Sequence, residues 1–406
     1  MRNTISIFFV SFLFAYDGGL LKIIMPPGLS IHTAQLFLGF LGVISSFNAK
    51  YFLHGLRVNK KVLFIFFCNA MYFQYHKSVL TPEYADYKTQ LLWWNFAAVI
   101  LLVVSMKKLM HYNILLLFGC LQICISLLTG NINSSSFSES IGDSIVSGRM
   151  AGIIICFAIF CNNTKISYYR YVIGLVGSIY VLLSGTRTVF IAIAIIVAIM
   201  PFYDIFTGKL TNINASLFRK LTVLAIGVVI VIVILHFNLL GLDTILVDRF
   251  FDAFSSLNGF AEHDGSTSER VLEWDIALSD WKKEPLIGMG FGSFAYSFFG
   301  LDIRMYPHNI IMELLSEGGV FGLLLFSWLV ISVWGTLKSN LQLTPIYINK
   351  FLISIFLLGL ISAQSSLEIP NQFIFFLTVG LILNLNSINK LRKFPVSAFR
   401  KNDQHL

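Results

Sequence analysis

Apolar residues occur in long, weakly interrupted runs, and polar residues fall between them in short clusters. Runs able to cross about 30 Å of hydrocarbon predict membrane-spanning helices. They lie at 5–24, 30–47, 62–75, 91–106, 112–128, 150–161, 169–183, 189–203, 221–240, 320–334, 351–363 and 373–385. The pattern predicts an all-α polytopic membrane protein with about twelve transmembrane helices. Residues 1–240 carry the first nine spans, 320–385 the last three, and 386–406 form a basic tail. The first run continues past Arg2 to Asp17-Gly18-Gly19 without a small-x-small cleavage site, so it is expected to remain as the first span.

One interval breaks the rhythm. Residues 241–319 comprise a long loop, 241–307, and an amphipathic helix after it. Within the loop, Ser266-Thr267-Ser268-Glu269 has the spacing of a capping box, with Ser266 as N-cap. The helix it opens places Val271, Trp274, Leu278 and Trp281 on one stripe, with Arg270 a turn from Trp274. A glycine-rich run, Gly288-Met289-Gly290-Phe291-Gly292, follows Glu284-Pro285. It reads either as a weak phosphate cradle or as a tight turn over a packed surface. Pro307-His308-Asn309 then precedes Ile310, Ile311, Leu314 and Leu315, interleaved with Glu313 and Glu317, up to Gly318-Gly319. Proline suits a first helical position, which puts His308 in the first turn.

Composition agrees with the pattern. The chain has 406 residues, 56% hydrophobic and 12% charged, which excludes an ordinary soluble enzyme. Its net charge of +8 would raise nucleic acid as a partner for a soluble protein; here the cations orient helices. With the N-terminus inside, the inside segments hold nineteen of the 29 basic residues, so both termini are expected to be cytoplasmic. The loop 241–307 is then on the outer face and carries eleven of the 21 acids. The five cysteines (Cys68, Cys120, Cys124, Cys156, Cys161) lie in apolar runs without a CxxC pair, as buried free thiols do.

The chemistry converges on the outer face. Arg187 lies in a very short turn between two nearly uncharged helices, against the positive-inside trend. Arg149 opens the sixth span, where an arginine either binds an anion or snorkels to headgroups. Two guanidinium forks suit a diphosphate, so Arg187 and Arg270 read as a clamp, with His308 near an acceptor hydroxyl. Lys282, Lys283 and Arg304 read first as a solvated loop face. Glu313 and Glu317 read equally as the polar face of their helix. Asp17 is the only carboxylate well inside a span, so the polar chemistry is expected outside the membrane. A transporter of lipid-linked oligosaccharide would instead line a path with charges.

At these residues the chain resembles the O-antigen polymerase and O-antigen ligase family of bacterial envelope glycosyltransferases. The resemblance rests on Leu183–Arg187, Arg270-x-x-x-Trp274, Pro285–Phe294, and His308-Asn309-x-x-x-Glu313-x-x-x-Glu317-x-Gly319-x-x-Gly322. It implies a C-type glycosyltransferase fold in the bacterial inner membrane, with the large, partly helical loop in the periplasm. It implies undecaprenyl-diphosphate-linked oligosaccharides as partners, beside the lipid bilayer and a chain-length regulator or other polysaccharide-assembly protein. Neither a metal nor another cofactor is implied. His308, Arg270 and Arg187 would be catalytic, and Arg149, Asn309, Glu313, Trp274 and Gly290 substrate-binding. A polymerase, which extends a lipid-linked repeat unit, is favoured over a ligase, which loads lipid A-core.

Overall fold

A computed structural model describes residues 49–105, 144–161, 167–183, 186–206, 265–365 and 367–393. The expected spans at 5–24, 30–47, 112–128 and 221–240 lie outside them, as do Asp17, Cys120, Cys124 and loop positions 241–264. Among the described residues the chain is helical, with no strand beyond one isolated bridge between Lys77 and Phe291.

The helices are α1 (Ala49–Tyr75), α2 (Pro82–Ser105), α3 (Ser144–Phe160), α4 (Ser167–Leu183) and α5 (Arg187–Phe206). After the loop come α6 (Gly265–Lys283), α7 (Phe294–Phe299), α8 (Ile310–Asn340), α9 (Ile346–Ser362) and α10 (Phe373–Lys393). Most outrun their apolar segments, because a helix continues into the polar margin once its core-facing side is packed. Thus Lys50, Arg57, Lys60 and Lys61 ride on the first turns of α1 instead of forming a loop. Likewise α10 runs past 385 to Lys393. Helix α8 and residues Phe373–Leu391 are long and apolar enough to cross a membrane, with mean hydropathies of 2.0 and 1.4.

Packing forms two groups joined along α9 and α10. In one, α1, α2, α8 and α10 enclose an aromatic core in which Phe66 stacks on Phe376 at 5.3 Å. In the other, α3, α4, α5 and α9 pack closely through small residues. Gly174 lies against Ala158, and Gly152 against Val189 and Leu358. Cys156 and Cys161 are buried and free, and Cys68 is half-buried and free.

The two ends of the assembly differ in chemistry. One holds Arg57, Lys60, Lys61, Lys338, Lys350 and Lys390 around a buried amide network. Asn386 donates to Asn59 (2.9 Å), Asn340 to Asn386 (3.2 Å), and Asn389 to Asn340 (2.8 Å). The opposite end gathers the turn after α1, the segment 284–309, the start of α5 and the segment 363–372.

Candidate active site

The frame of this second end is built on α8. Gly319 interrupts that helix with φ 59° and ψ −163°, a conformation open to glycine alone, and a Cβ there would collide with the Leu286 carbonyl. The expected helix end at Gly318-Gly319 is therefore a break inside one longer element. Before the break, the helix buries Glu313 and Glu317, both 0% exposed. Lys88 of α2, also 0% exposed, donates 2.6 Å bonds to Glu313 Oε1 and to Glu317 Oε2. The Ile369 amide donates to Glu313 Oε2 (2.9 Å), so both oxygens of that carboxylate are engaged. The alternative reading of these glutamates as merely the polar face of their helix is corrected. A lysine on a neighbouring helix compensates them, and no local pattern around Glu313 reveals it.

A second buried carboxylate extends this frame. Glu368, 0% exposed, accepts from Tyr84 Oη (2.5 Å), Arg304 Nε (2.9 Å) and Asn371 Nδ2 (2.7 Å). Arg304 is thus no mere solvated loop residue. Lys283 does stay largely exposed and pairs with Asp280.

The glycine-rich segment closes against the frame. Gly288, Gly290 and Gly292 have φ of 74°, 103° and 92°. The amides of Gly288, Met289, Gly290 and Phe291 donate to Glu284, Ser316, Glu317 and His76 carbonyls. With those donors engaged the phosphate-cradle reading loses its basis, and the tight turn over a packed surface is what the segment forms. Gly290 approaches Ser78 backbone, which a side chain would obstruct.

Above the frame sits a more open rim. Helix α6 begins at Gly265, so Ser266 lies inside it and not at its N-cap. Its buried positions are Glu273, Ala277 and Asp280; Val271 is exposed, and Trp274, Leu278 and Trp281 are half-buried. Trp274 Nε1 donates to the Pro307 carbonyl (3.0 Å), tying α6 to the next residue's neighbourhood. His308 Nε2 then stands 3.9 Å from Glu273 Oε1.

His308 precedes α8 and does not sit in its first turn. Asn309 is the cap: its Oδ1 accepts from the Ile311 and Met312 amides (2.9 and 3.2 Å), and its Nδ2 donates to the Gln364 carbonyl. Proline cannot supply a capping side chain, whereas Asn309 does, which moves the helix start to Ile310. His308 takes φ 48°, sparsely populated for a side-chain-bearing residue. Burial, with the nearby charges of Arg270 and Arg304, lowers its pKa to about 4. Burial, reinforced by Glu269 and opposed by Arg270, raises Glu273 to about 7. The rim therefore pairs a neutral imidazole with a carboxyl that titrates near neutrality.

The other expected arginines lie on α5 and α3, two helices that bond to the 362–372 segment through Thr188 and Arg149. Arg187 is the first residue of α5, where helix amides and dipole favour an anion. Its neighbour Thr188 accepts a 2.7 Å bond from Ser365, one residue from the Gln364 that receives Asn309. Arg149 is 1% exposed, with Nη1 donating to Gln372 (2.8 Å) and Nη2 to the Ser362 carbonyl (2.9 Å). Burial and these bonds replace the snorkelling alternative. Sequence reasoning thus located His308, Arg270, Trp274 and Asn309 in one neighbourhood, but missed Lys88, Glu273 and Glu368. The one signal for Lys88 was a cation three residues before the apolar run at Leu91.

No curated protein compared with the chain is similar to it. Residues 172–327 match the family model described as O-Antigen ligase, a segment that includes Arg187, α6, the glycine-rich turn, His308 and the buried glutamates. The matched domain is that of membrane enzymes of polysaccharide biosynthesis, in keeping with the apolar helices. Over residues 172–327 the chain is therefore similar to the O-antigen ligase family.

Proposed function

We propose that the chain is an O-antigen polymerase of the bacterial inner membrane, with His308 facing the periplasm and both termini in the cytoplasm. It joins undecaprenyl-diphosphate-linked oligosaccharide repeat units. The observation that carries this reading is the rim itself: a neutral, part-buried His308 that stands 3.9 Å from Glu273 and feels the charges of Arg270 and Arg304. The acceptor hydroxyl oxygen attacks the anomeric carbon of the donor glycan. Its proton passes to His308 Nε2, the nitrogen that faces Glu273. The anomeric C–O bond to phosphate breaks, and its electron pair leaves on the diphosphate. Arg270 and Arg187 offset the charge that develops there and release undecaprenyl diphosphate. Trp274 holds α6 against His308, and Gly290 keeps the turn close to α1. Asn309, Glu313 and Arg149 act as positioning groups, since their polar atoms bond to the protein. Mutual pairing of Lys88 with Glu313 and Glu317 favours a frame over a transport path.

The family description favours a second reading, ligation of the finished glycan to lipid A-core. Deleting the gene and separating the cell's lipopolysaccharide on a gel distinguishes them. Core bearing a single repeat unit is the polymerase result. Bare core, with long glycan left on undecaprenyl diphosphate, is the ligase result.

A further inference from the structure

Residues 304–307 have no regular secondary structure and lead, through a bend at His308, into the cap of α8. Along it the side chains of Arg304, Tyr306 and His308 come together. The Arg304 guanidinium lies 5.8 Å from the Tyr306 ring centroid, and the Tyr306 and His308 rings are 4.5 Å apart. Cation, phenol and imidazole are thus layered on one surface. Arg304 is anchored at one point: Nε donates to Glu368, which Tyr84 and Asn371 hold from below. Among the described residues its two Nη groups donate to nothing, and the side chain is 49% exposed.

A guanidinium whose Nε is fixed while its Nη pair projects outward is prepared for a second acceptor. The pair matches two oxygens of a phosphate group, and an arginine so fixed loses less freedom on binding. The neighbours fit an anion: Arg270 is close enough for its charge to act on His308, and His308 itself is uncharged near neutral pH.

We propose that Arg304 is a further substrate-binding residue of this site, gripping a phosphate group of a lipid-linked diphosphate beside His308, with Glu368 as its positioning residue. This rests on the reading of the rim as a diphosphate site. It gives the site a cation rigidly tied to the His308 segment, complementing Arg270 on α6 and Arg187 on α5.

The test uses the full chain, purified in detergent, with inorganic pyrophosphate as probe by calorimetry and undecaprenyl-diphosphate-linked repeat units in a transfer assay. Arg304→Ala is expected to weaken pyrophosphate binding by about tenfold or more and to raise KM for the lipid-linked substrate similarly. Arg304→Lys keeps a charge beside Glu368 but loses the fork, and is expected to bind almost as poorly at an unchanged melting temperature. Should Arg304→Ala melt early because Glu368 has lost its partner, the Lys variant decides. Glu368→Gln, which loosens the anchor, is expected to fall between Arg304→Ala and wild type. Wild-type pyrophosphate binding in Arg304→Lys, alongside lost binding in Arg270→Ala, overturns the proposal and leaves the diphosphate reading of the rim standing. A wild-type chain that binds no pyrophosphate, and whose transfer pyrophosphate does not inhibit, overturns both.

Discussion

The frame and the rim both bury carboxylates, and they partner them differently. In the frame, Lys88, Glu313 and Glu368 are fully buried and meet partners at 2.5–2.9 Å, and among the described residues only Glu317 Oε1 of the frame's carboxylates lacks one. In the rim, Glu273 Oε2 and His308 Nδ1 are buried with no hydrogen-bond partner among the described residues, and the two side chains stand 3.9 Å apart. Buried groups left unsatisfied cost stability and persist where they serve something else. The difference separates a part that holds shape from a part that awaits a substrate. The distal amide network makes a third contrast, being neutral and bonded across helices.

The sharpest way to break this contrast is to remove one group from each side. His308→Ala is expected to lower glycan transfer by about 10²–10⁴-fold, the usual contribution of a general base, with protein level and melting unchanged. Arg270→Ala and Arg187→Ala are expected to behave alike, and Arg→Lys at either site to remain impaired because the bidentate fork is lost. Wild-type transfer in Arg270→Ala removes the clamp. In the frame the effect should appear as stability. Lys88→Met strands two buried carboxylates and is expected to cost about 3–5 kcal/mol, seen as a large drop in melting temperature. Replacing Lys88, Glu313 and Glu317 together by apolar residues is expected to recover most of that loss.

The pH response sharpens the comparison further. Glu273, raised from 4.5 to about 7, contributes stability that is complete below pH 4.5 and lost as pH rises through 7. His308, lowered from 6.5 to about 4, contributes stability present above pH 6.5 and lost as pH falls through 4. For catalysis, ionised Glu273 makes His308 a better proton acceptor. The kcat/KM for transfer is thus expected to rise several-fold through about pH 7, and Glu273→Gln to flatten that rise. An unchanged profile in Glu273→Gln assigns the ionisation elsewhere. The smallest effect belongs to the distal end. Asn59→Ala is expected to cost about 1 kcal/mol in stability and nothing in transfer rate.

The sequence was most legible where the pattern is local. Apolar runs marked the described helices, the glycine spacing marked a turn, and the His308-Asn309 segment marked the start of α8. It was least legible where a partner lies far along the chain. Glu313 and Glu317 have the spacing of any solvated helical face, and only Lys88, more than two hundred residues away, makes them interior. Glu368, flanked by Leu367 and Ile369, likewise takes its meaning from Tyr84 and Arg304. Helix ends erred for a related reason: Ser266 and Pro307 satisfy capping and N1 preferences, but the chain caps α8 with Asn309 because Gln364 completes that amide. Among the site residues, Arg270 and His308 were readable because each interrupts a patterned segment with a charge or imidazole that the pattern does not need.

The central claim is that the rim performs glycosyl transfer from a lipid diphosphate while the frame only holds it. The most direct measurement is transfer by the purified chain supplied with undecaprenyl-diphosphate-linked repeat units, wild type against His308→Ala, with melting followed in parallel. The account predicts elongated glycan and released undecaprenyl diphosphate from the wild type, and neither from a His308→Ala protein that melts normally. Elongation at the wild-type rate by His308→Ala would contradict it.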